Sequence, residues 1–304
     1  MTLVLDSAGQ RNDATPSDAG RWEVRFDPAA PVSAAAGLVE LWFDDSLDLS
    51  TAIHPENNDR YCLRWPEGRA EIRFDAHEIY VRPASTKVHR RNLERFTEAQ
   101  ILPRVLAHEG QLVLHASTVE VDGALIAFAG PSGTGKSTLA ASLLSAGYRV
   151  LGDDSLQVVK KRSAHFGSTV FPGLWLLPDS LEQLFPVQRL QTRGHATKIA
   201  VEISTGANTG ALRAIYVLAS GEKISIRRKP PSQTCMAIIA NSFALDPADF
   251  GRGRTKLLAA ASLVEEVAVF ELSYPRRYDR LDAVRNAVLR HFEECFVDAG
   301  TDRP

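Results

Sequence analysis

Residues 130–138 read Gly130, Pro131, Ser132, Gly133, Thr134, Gly135, Lys136, Ser137, Thr138. They satisfy the pattern of glycine, four free positions, then glycine, lysine and serine or threonine. The chemistry this run serves is the holding of a polyphosphate. Glycines let the backbone curl so that successive N–H groups face an anion. A helix starting there adds the partial positive charge of its N-terminus. The lysine reaches the β- and γ-phosphates, and the Ser137 hydroxyl ligates Mg²⁺. The flanks separate the match from a chance glycine-rich turn: an apolar strand over residues 125–129 leads in, and a helix-forming run over 136–146 leads out.

Two more chemical groups follow from position. Asp153 and Asp154 end a short apolar run seventeen residues after Lys136. Carboxylates at such a strand end can hold Mg²⁺ directly or through water, and one beside the metal can accept a proton from an attacking hydroxyl. The competing reading is an Asp-Asp turn that caps the next segment. His115 lies in the run Leu114, His115, Ala116, Ser117. A strand histidine is commonly structural, but this strand precedes the loop strand, which would bring the imidazole near the γ-phosphate, where it can polarise or shuttle protons.

These residues need elements to position them. Around Asp122-Gly123 two apolar runs predict a hairpin, with LVLHASTVEV as one strand and ALIAFAG as the next. Gly147 stops the helix, and residues 148–151 form a strand. Further on, strands are predicted over 156–160, 198–203, 211–219, 223–228 and 267–272. Helices are predicted over 178–185, 231–243, 253–265 and 279–296, the last carrying Leu281, Val284, Val288 and Phe292 on one face. Residues 89–108 read as helix, kinked or split at Pro103. Upstream, residues 22–26, 38–43, 61–65, 70–74 and 78–82 alternate apolar and polar residues between turn formers, the period of half-buried antiparallel strands. The chain thus divides into a β-rich N-terminal region, residues 1–88, and an α/β domain, residues 89–304. Residues 1–20, polar and small over 7–20, are expected to be a flexible lead-in.

The 304 residues suggest about two domains. Apolar residues at 44% and charged residues at 24% exclude a disordered, collagen-like or coiled-coil chain. A net charge of −2 gives no general attraction to nucleic acid. Cys62, Cys235 and Cys295 are too scattered for a zinc or disulfide framework, which fits a reducing cytoplasm. No run reaches the length of a signal-peptide core or a membrane span.

The run LVLHASTVEVDGALIAFAGPSGTGKSTLAASLLSAGYRVLGDDSLQVV, residues 112–159, resembles the catalytic domain of bacterial HPr kinase/phosphorylase. The matching order is a histidine-bearing strand, a hairpin, the glycine-rich loop, a helix ending in Gly147 and a strand ending in Asp-Asp. The core is also similar to ATP-dependent phosphoenolpyruvate carboxykinase. Weaker similarity over residues 174–179 and 212–218 looks like the HPr-kinase-related proteins found beside peptide-modification genes, including lasso-peptide precursor kinases. The resemblance implies a P-loop domain of the phosphoenolpyruvate-carboxykinase-like, HPr-kinase-like type. It further implies an ATP- and Mg²⁺-dependent kinase acting on a serine hydroxyl of a small protein or ribosomally made peptide. Gly130, Ser132, Gly133, Thr134, Gly135, Lys136, Ser137 and Thr138 would hold the nucleotide. Asp153 would be the general base, Asp154 and Ser137 the metal ligands, and His115 the histidine near the phosphate. Arg193 or Lys198, in the basic run 193–198, would steady charge on the transferring group. A homo-oligomer in the cytoplasm, with no nucleic acid or membrane partner, completes the expectation. The alternatives are a small-metabolite hydroxyl kinase and a non-catalytic nucleotide-binding regulator. Residues 1–90 do not resemble the family's N-terminal domain. Val170, Phe171, Pro172, Gly173, Leu174 and Trp175 stand where its metal-binding glutamate segment would be. HPr as acceptor and the reverse phosphorylase reaction are therefore not carried over.

Overall fold

The computed structural model describes residues 2–5, 22–29, 37–170, 173–185, 198–201, 203 and 208–296. Arg193 and residues 7–20 lie outside the described residues. The chain forms two compact units: residues 1–110 with 244–253, and residues 111–243 with 254–304. Among the described residues no helix is long and apolar enough to cross a membrane.

The first unit is a seven-stranded sheet with helices on one face. Its strands are β1 (Thr2–Leu5), β2 (Trp22–Phe26), β3 (Val39–Asp44), β4 (Leu49–His54), β5 (Asn57–Trp65), β6 (Gly68–Arg73) and β7 (Glu78–Pro83), in the order β1-β2-β7-β6-β5-β4-β3. Only β2 and β7 run parallel among the paired neighbours. β1 corrects the expectation that residues 1–20 are a flexible lead-in: Leu3, Val4 and Leu5 pair with β2, as their apolar character favours. β4 is also additional to the predicted strands, because Ser50, Thr51 and Ala52 dilute its alternation. Trp22, Val24, Leu63, Ile72, Ile79 and Val81 are buried, and the residues flanking them are charged apart from Tyr80 and the buried Cys62. The predicted helix over 89–108 is split into α1 (Arg90–Phe96), a π-turn (Thr97–Ile101) and α2 (Leu102–His108). Pro103 sits in the first turn of α2, where its missing N–H is no loss. Leu93, Ile101, Leu102 and Val105 supply the buried side of this segment. The returning residues are tied in by Trp42 Nε1 donating to the Leu245 carbonyl at 2.8 Å and Arg252 Nε donating to the His108 carbonyl at 2.8 Å.

The second unit holds the loop. Its elements are β8 (Leu112–Leu114), β9 (Ala116–Val121), β10 (Ala124–Ala129), α3 (Lys136–Ser145), β11 (Arg149–Gly152), β12 (Leu156–Lys161), β13 (Ala164–Thr169), β14 (Leu174–Leu176), α4 (Pro178–Leu184), β15 (Ile199–Val201), β16 (Thr209–Ser220), β17 (Ser225–Arg228), α5 (Pro231–Ala240), α6 (Phe250–Glu266), β18 (Ala268–Tyr274) and α7 (Leu281–Phe296). The main sheet runs β11-β9-β10-β16-β13-β12-β8, with β18 beside β16 and β17 beside β18. β10 and β18 lie parallel to β16 on either side, and the start of β16 pairs antiparallel with β13. Ile126, Phe128 and Tyr216 pack with Leu139, Val284, Val288 and Phe292 of α3 and α7. Leu125, Ala127 and Ile215 pack with Ile238, Ala260 and Leu263 of α5 and α6. Both faces of β10 are therefore covered, which is why it is an unbroken apolar run.

Two expectations change. LVLHASTVEV is not one strand: it breaks at His115, whose N–H donates to the Asn241 carbonyl at 2.7 Å. β8 then pairs with β12, while β9 pairs with β10 and β11. β13 and β14 are further strands that short or glycine-interrupted runs did not announce. The hairpin at Asp122-Gly123 forms as predicted, with φ of 50° and 75° at its two corner residues, the signs a type I′ turn requires. A Cβ at Gly123 would meet nothing within 4 Å, so only the backbone resists substitution there. Gly123→Ala should cost about 1–2 kcal/mol, read as a lowered urea midpoint with an unchanged slope.

Candidate functional site

The site is built where β10, β11 and the bend between β8 and β9 end together. From β10 the chain enters the loop 130–135 and then α3. Gly135, with φ of 97°, precedes the helix, and a Cβ there would lie 2.7 Å from the Tyr274 hydroxyl. The loop carbonyls are tied off by side chains. Tyr274 Oη donates to the Thr134 carbonyl at 3.2 Å, Arg276 Nη1 to the Gly133 carbonyl at 2.6 Å and Thr134 Oγ1 to the Pro131 carbonyl at 2.8 Å. Holding the Thr134 carbonyl one way orients the Gly135 N–H of the same planar peptide the other way. Lys136 is buried, and its Nζ donates to the carbonyls of Gly130 at 2.7 Å and Pro131 at 3.1 Å. Burial lowers its pKa to about 8 against the attraction of Asp153 and Asp154. Thr138 faces away from the aspartates, into a hydroxyl chain with Ser180 at 3.2 Å, which continues to Tyr278 at 2.9 Å and Asp179. Ser132 and Gly133 are exposed.

Asp153 and Asp154 follow β11 directly and are both buried, yet their surroundings differ. Ser117 Oγ on β9 donates to Asp153 Oδ1 at 2.5 Å. The Ser137 hydroxyl also lies by this carboxylate and draws its pKa down, but Oδ2 is buried without a hydrogen bond of good geometry. Burial and the neighbouring Asp154 outweigh these hydroxyls and raise the Asp153 pKa. Asp154 has φ of 65°, a left-handed turn that aims its side chain away from that of Asp153. Its Oδ1 lies 3.5 Å from His115 Nε2 and 3.6 Å from Lys198 Nζ. Burial works to raise its pKa, but the His115 hydrogen bond and the charges of Lys198, His115 and Lys136 hold it below the usual carboxylate range.

The structure therefore gathers Lys136, Ser137, Asp153, Asp154, His115 and Lys198 into one cluster. Arg193 lies outside the described residues. Sequence reasoning did not single out Ser117, Tyr274 or Arg276. Ser117 and Thr118 are both small hydroxyls in a buried strand, and nothing in their order says which meets an aspartate. Among the described residues no three His, Cys, Asp or Glu side chains cluster as a metal site. Mg²⁺ does not need such a cage, since it binds through one or two protein oxygens and keeps its waters. The bond-free Asp153 Oδ2 and the Ser137 hydroxyl are hard oxygen donors that fit it.

Residues 87–183 match the family model of the SynChlorMet cassette protein ScmC, less than half of the chain. No curated protein matches it. Among solved structures, the Hpr(Ser) kinase/phosphatase from Coxiella burnetii is similar at 14% identity and a TM-score of 0.34, covering 60% of this chain and 97% of that one. That superposition is loose, so the reading of function rests on the residues themselves.

Lys136 gives a direct check on the electrostatics. Its folded pKa of about 8 lies below the ordinary 10.5. The buried charge thus costs stability below pH 8, and the cost fades between pH 8 and 10.5 as the unfolded chain also loses the proton. Lys136→Met should raise stability at pH 7 by on the order of 2 kcal/mol. The gain should fall by more than half at pH 10, measured as urea unfolding of both proteins at each pH.

Proposed function

We propose that this protein is an ATP- and Mg²⁺-dependent kinase that transfers the γ-phosphoryl group to a hydroxyl, a serine of a small protein or ribosomally made peptide. The observation that carries the proposal is the opposed state of two adjacent buried aspartates beside a lysine-bearing glycine-rich loop. Bound ATP·Mg²⁺ supplies the phosphoryl group and neutralises its charge. The loop amides and Lys136 hold the β- and γ-phosphates; an anion there returns to Lys136 the charge that burial discourages.

The contacts favour an exchange of the roles expected for the two aspartates. Asp153, with its free buried oxygen beside Ser137, is the better metal ligand. Asp154 is ionised at neutral pH and faces His115 and Lys198, whose side chains are 27% and 31% exposed, so it is the carboxylate an acceptor can reach. Asp154 orients the acceptor hydroxyl and takes its proton. A carboxylate of low pKa is a weak base, which suits proton transfer late in a loose transition state. Lys198 and His115 steady the aspartate before transfer and the phosphoryl charge during it.

The test is incubation with ATP, Mg²⁺ and acceptors (a serine-bearing peptide, HPr and free serine), read by intact mass. Phosphate on the peptide is expected. Asp154→Asn should lower transfer by about 10²–10⁴-fold with ATP affinity kept, whereas Asp153→Asn should weaken Mg²⁺-dependent ATP binding itself. Phosphate on free serine instead would make this a small-metabolite kinase. Full transfer by Lys136→Ala, or nucleotide binding with no acceptor modified by any preparation, would overturn the proposal, the second result in favour of a regulator.

A further inference from the structure

The first unit carries a row of arginines on one face of its sheet. On β5, β6 and β7 the residues facing away from the buried core are mostly charged, and they fall into cross-strand rows. In one row Ser50 is opposite Arg64, Arg64 opposite Arg69 and Arg69 opposite Arg82. Three arginines thus stand side by side on adjacent strands, about 4.8 Å apart, in a row of roughly 10 Å. Like charges directly opposite each other destabilise a sheet. Such a row is ordinarily offset by acids within reach; elsewhere on this face, even where Arg60 is opposite Arg73 and Glu78 opposite Glu23, the arginines have them. Arg73 Nε lies 2.8 Å from Glu71 Oε1, Arg25 Nη2 lies 2.6 Å from Glu23 and 3.1 Å from Glu78, and Arg60 reaches Asp75 at 3.9 Å. Among the described residues Arg64, Arg69 and Arg82 make neither an ion pair nor a hydrogen bond, although all three are half-buried. Their stems are held against the sheet while, among the described residues, their guanidinium groups remain uncommitted.

Among the described residues, the basic clusters at 227–229 and 252–256 each have members engaged within the fold. Lys229 pairs with Glu271, Arg252 with Asp249, and Lys256 donates to the Phe243 carbonyl. We propose that the row of Arg64, Arg69 and Arg82 binds the clustered carboxylates of an acidic polypeptide segment. Guanidinium forks bind carboxylates bidentately. The flanking rows decide the class of partner. On the same face Glu71 lies two residues, about 7 Å, along the strands from this row, and Glu78 and Glu23 lie four residues, about 13 Å, along. A long, evenly charged polyanion would lay phosphates over those glutamates, and a short acidic segment does not. The inference stands on this sheet alone and does not depend on the chemistry at Asp154.

The experiment uses the full chain at low salt, with a fluorescein-labelled hexaglutamate peptide as probe and labelled hexalysine and an oligonucleotide of equal charge as comparisons, read by anisotropy. Hexaglutamate should bind, and Arg69→Gln and Arg82→Gln should each weaken it about tenfold, whereas Arg227→Gln should leave it unchanged. Arg69→Gln should also raise the urea midpoint, because it removes a like-charge neighbour. The proposal is overturned if hexaglutamate does not bind, if its binding ignores both substitutions, or if the oligonucleotide binds as tightly through the same arginines. A urea midpoint lowered by Arg69→Gln would likewise overturn it, assigning the row to the fold.

Discussion

Two adjacent carboxylates taken out of water cannot both keep their charge without help, and the second unit is arranged around supplying it unequally. Asp153 receives hydroxyls, from Ser117 on β9 and Ser137 at the start of α3. Asp154 receives a hydrogen bond from His115 at the β8–β9 bend and the charge of Lys198 just before β15. Four separate stretches of chain must converge on a few ångströms for this to hold. The strand order makes the convergence: β9 lies between β10 and β11, so the residues leading into β9, the loop leaving β10 and the aspartates leaving β11 share one end of the sheet. The left-handed turn at Asp154 then separates the two side chains into their different surroundings.

The same logic governs the loop. A lysine forced into a buried position sheds part of its preference for charge, and its hydrogen bonds to Gly130 and Pro131 keep it folded back on its own backbone. Tyr274 and Arg276, which come from the far end of β18 and the turn after it, hold the loop carbonyls from outside. The loop is therefore shaped by residues distant in sequence, and only its glycines and lysine are local.

Much of the second unit was legible in the sequence because its signals are local. The Asp122-Gly123 corner, the apolar run of β10, the stop at Gly147 and the one-sided face of α7 each state their geometry within a few residues. What was not legible is set by pairing over long separations. His115 reads as the middle of a strand until β8 is seen to leave for β12, and no short-range pattern announces that departure. β13 carries Gly167 and Ser168 where a strand would show alternation, and it forms because β12 and β16 flank it. The two aspartates are chemically identical and adjacent, so their roles depend wholly on which neighbours the fold delivers. In the first unit, period-2 alternation revealed five of the seven strands, but not that Arg64, Arg69 and Arg82 would align, since register lies outside any one strand's pattern.

The first unit is also discontinuous: it takes back residues 244–253 after the whole stretch 111–243 has intervened. During synthesis, at about 5–20 residues per second, the seven-stranded sheet must wait on the order of ten seconds for the segment that brings the Leu245 carbonyl to Trp42 and Arg252 to His108. Its completion is therefore coupled in time to the making of the second unit. A nascent chain released before residue 253 would carry a sheet with an indole and a helix-end carbonyl still unpartnered, a species suited to recognition by chaperones and proteases.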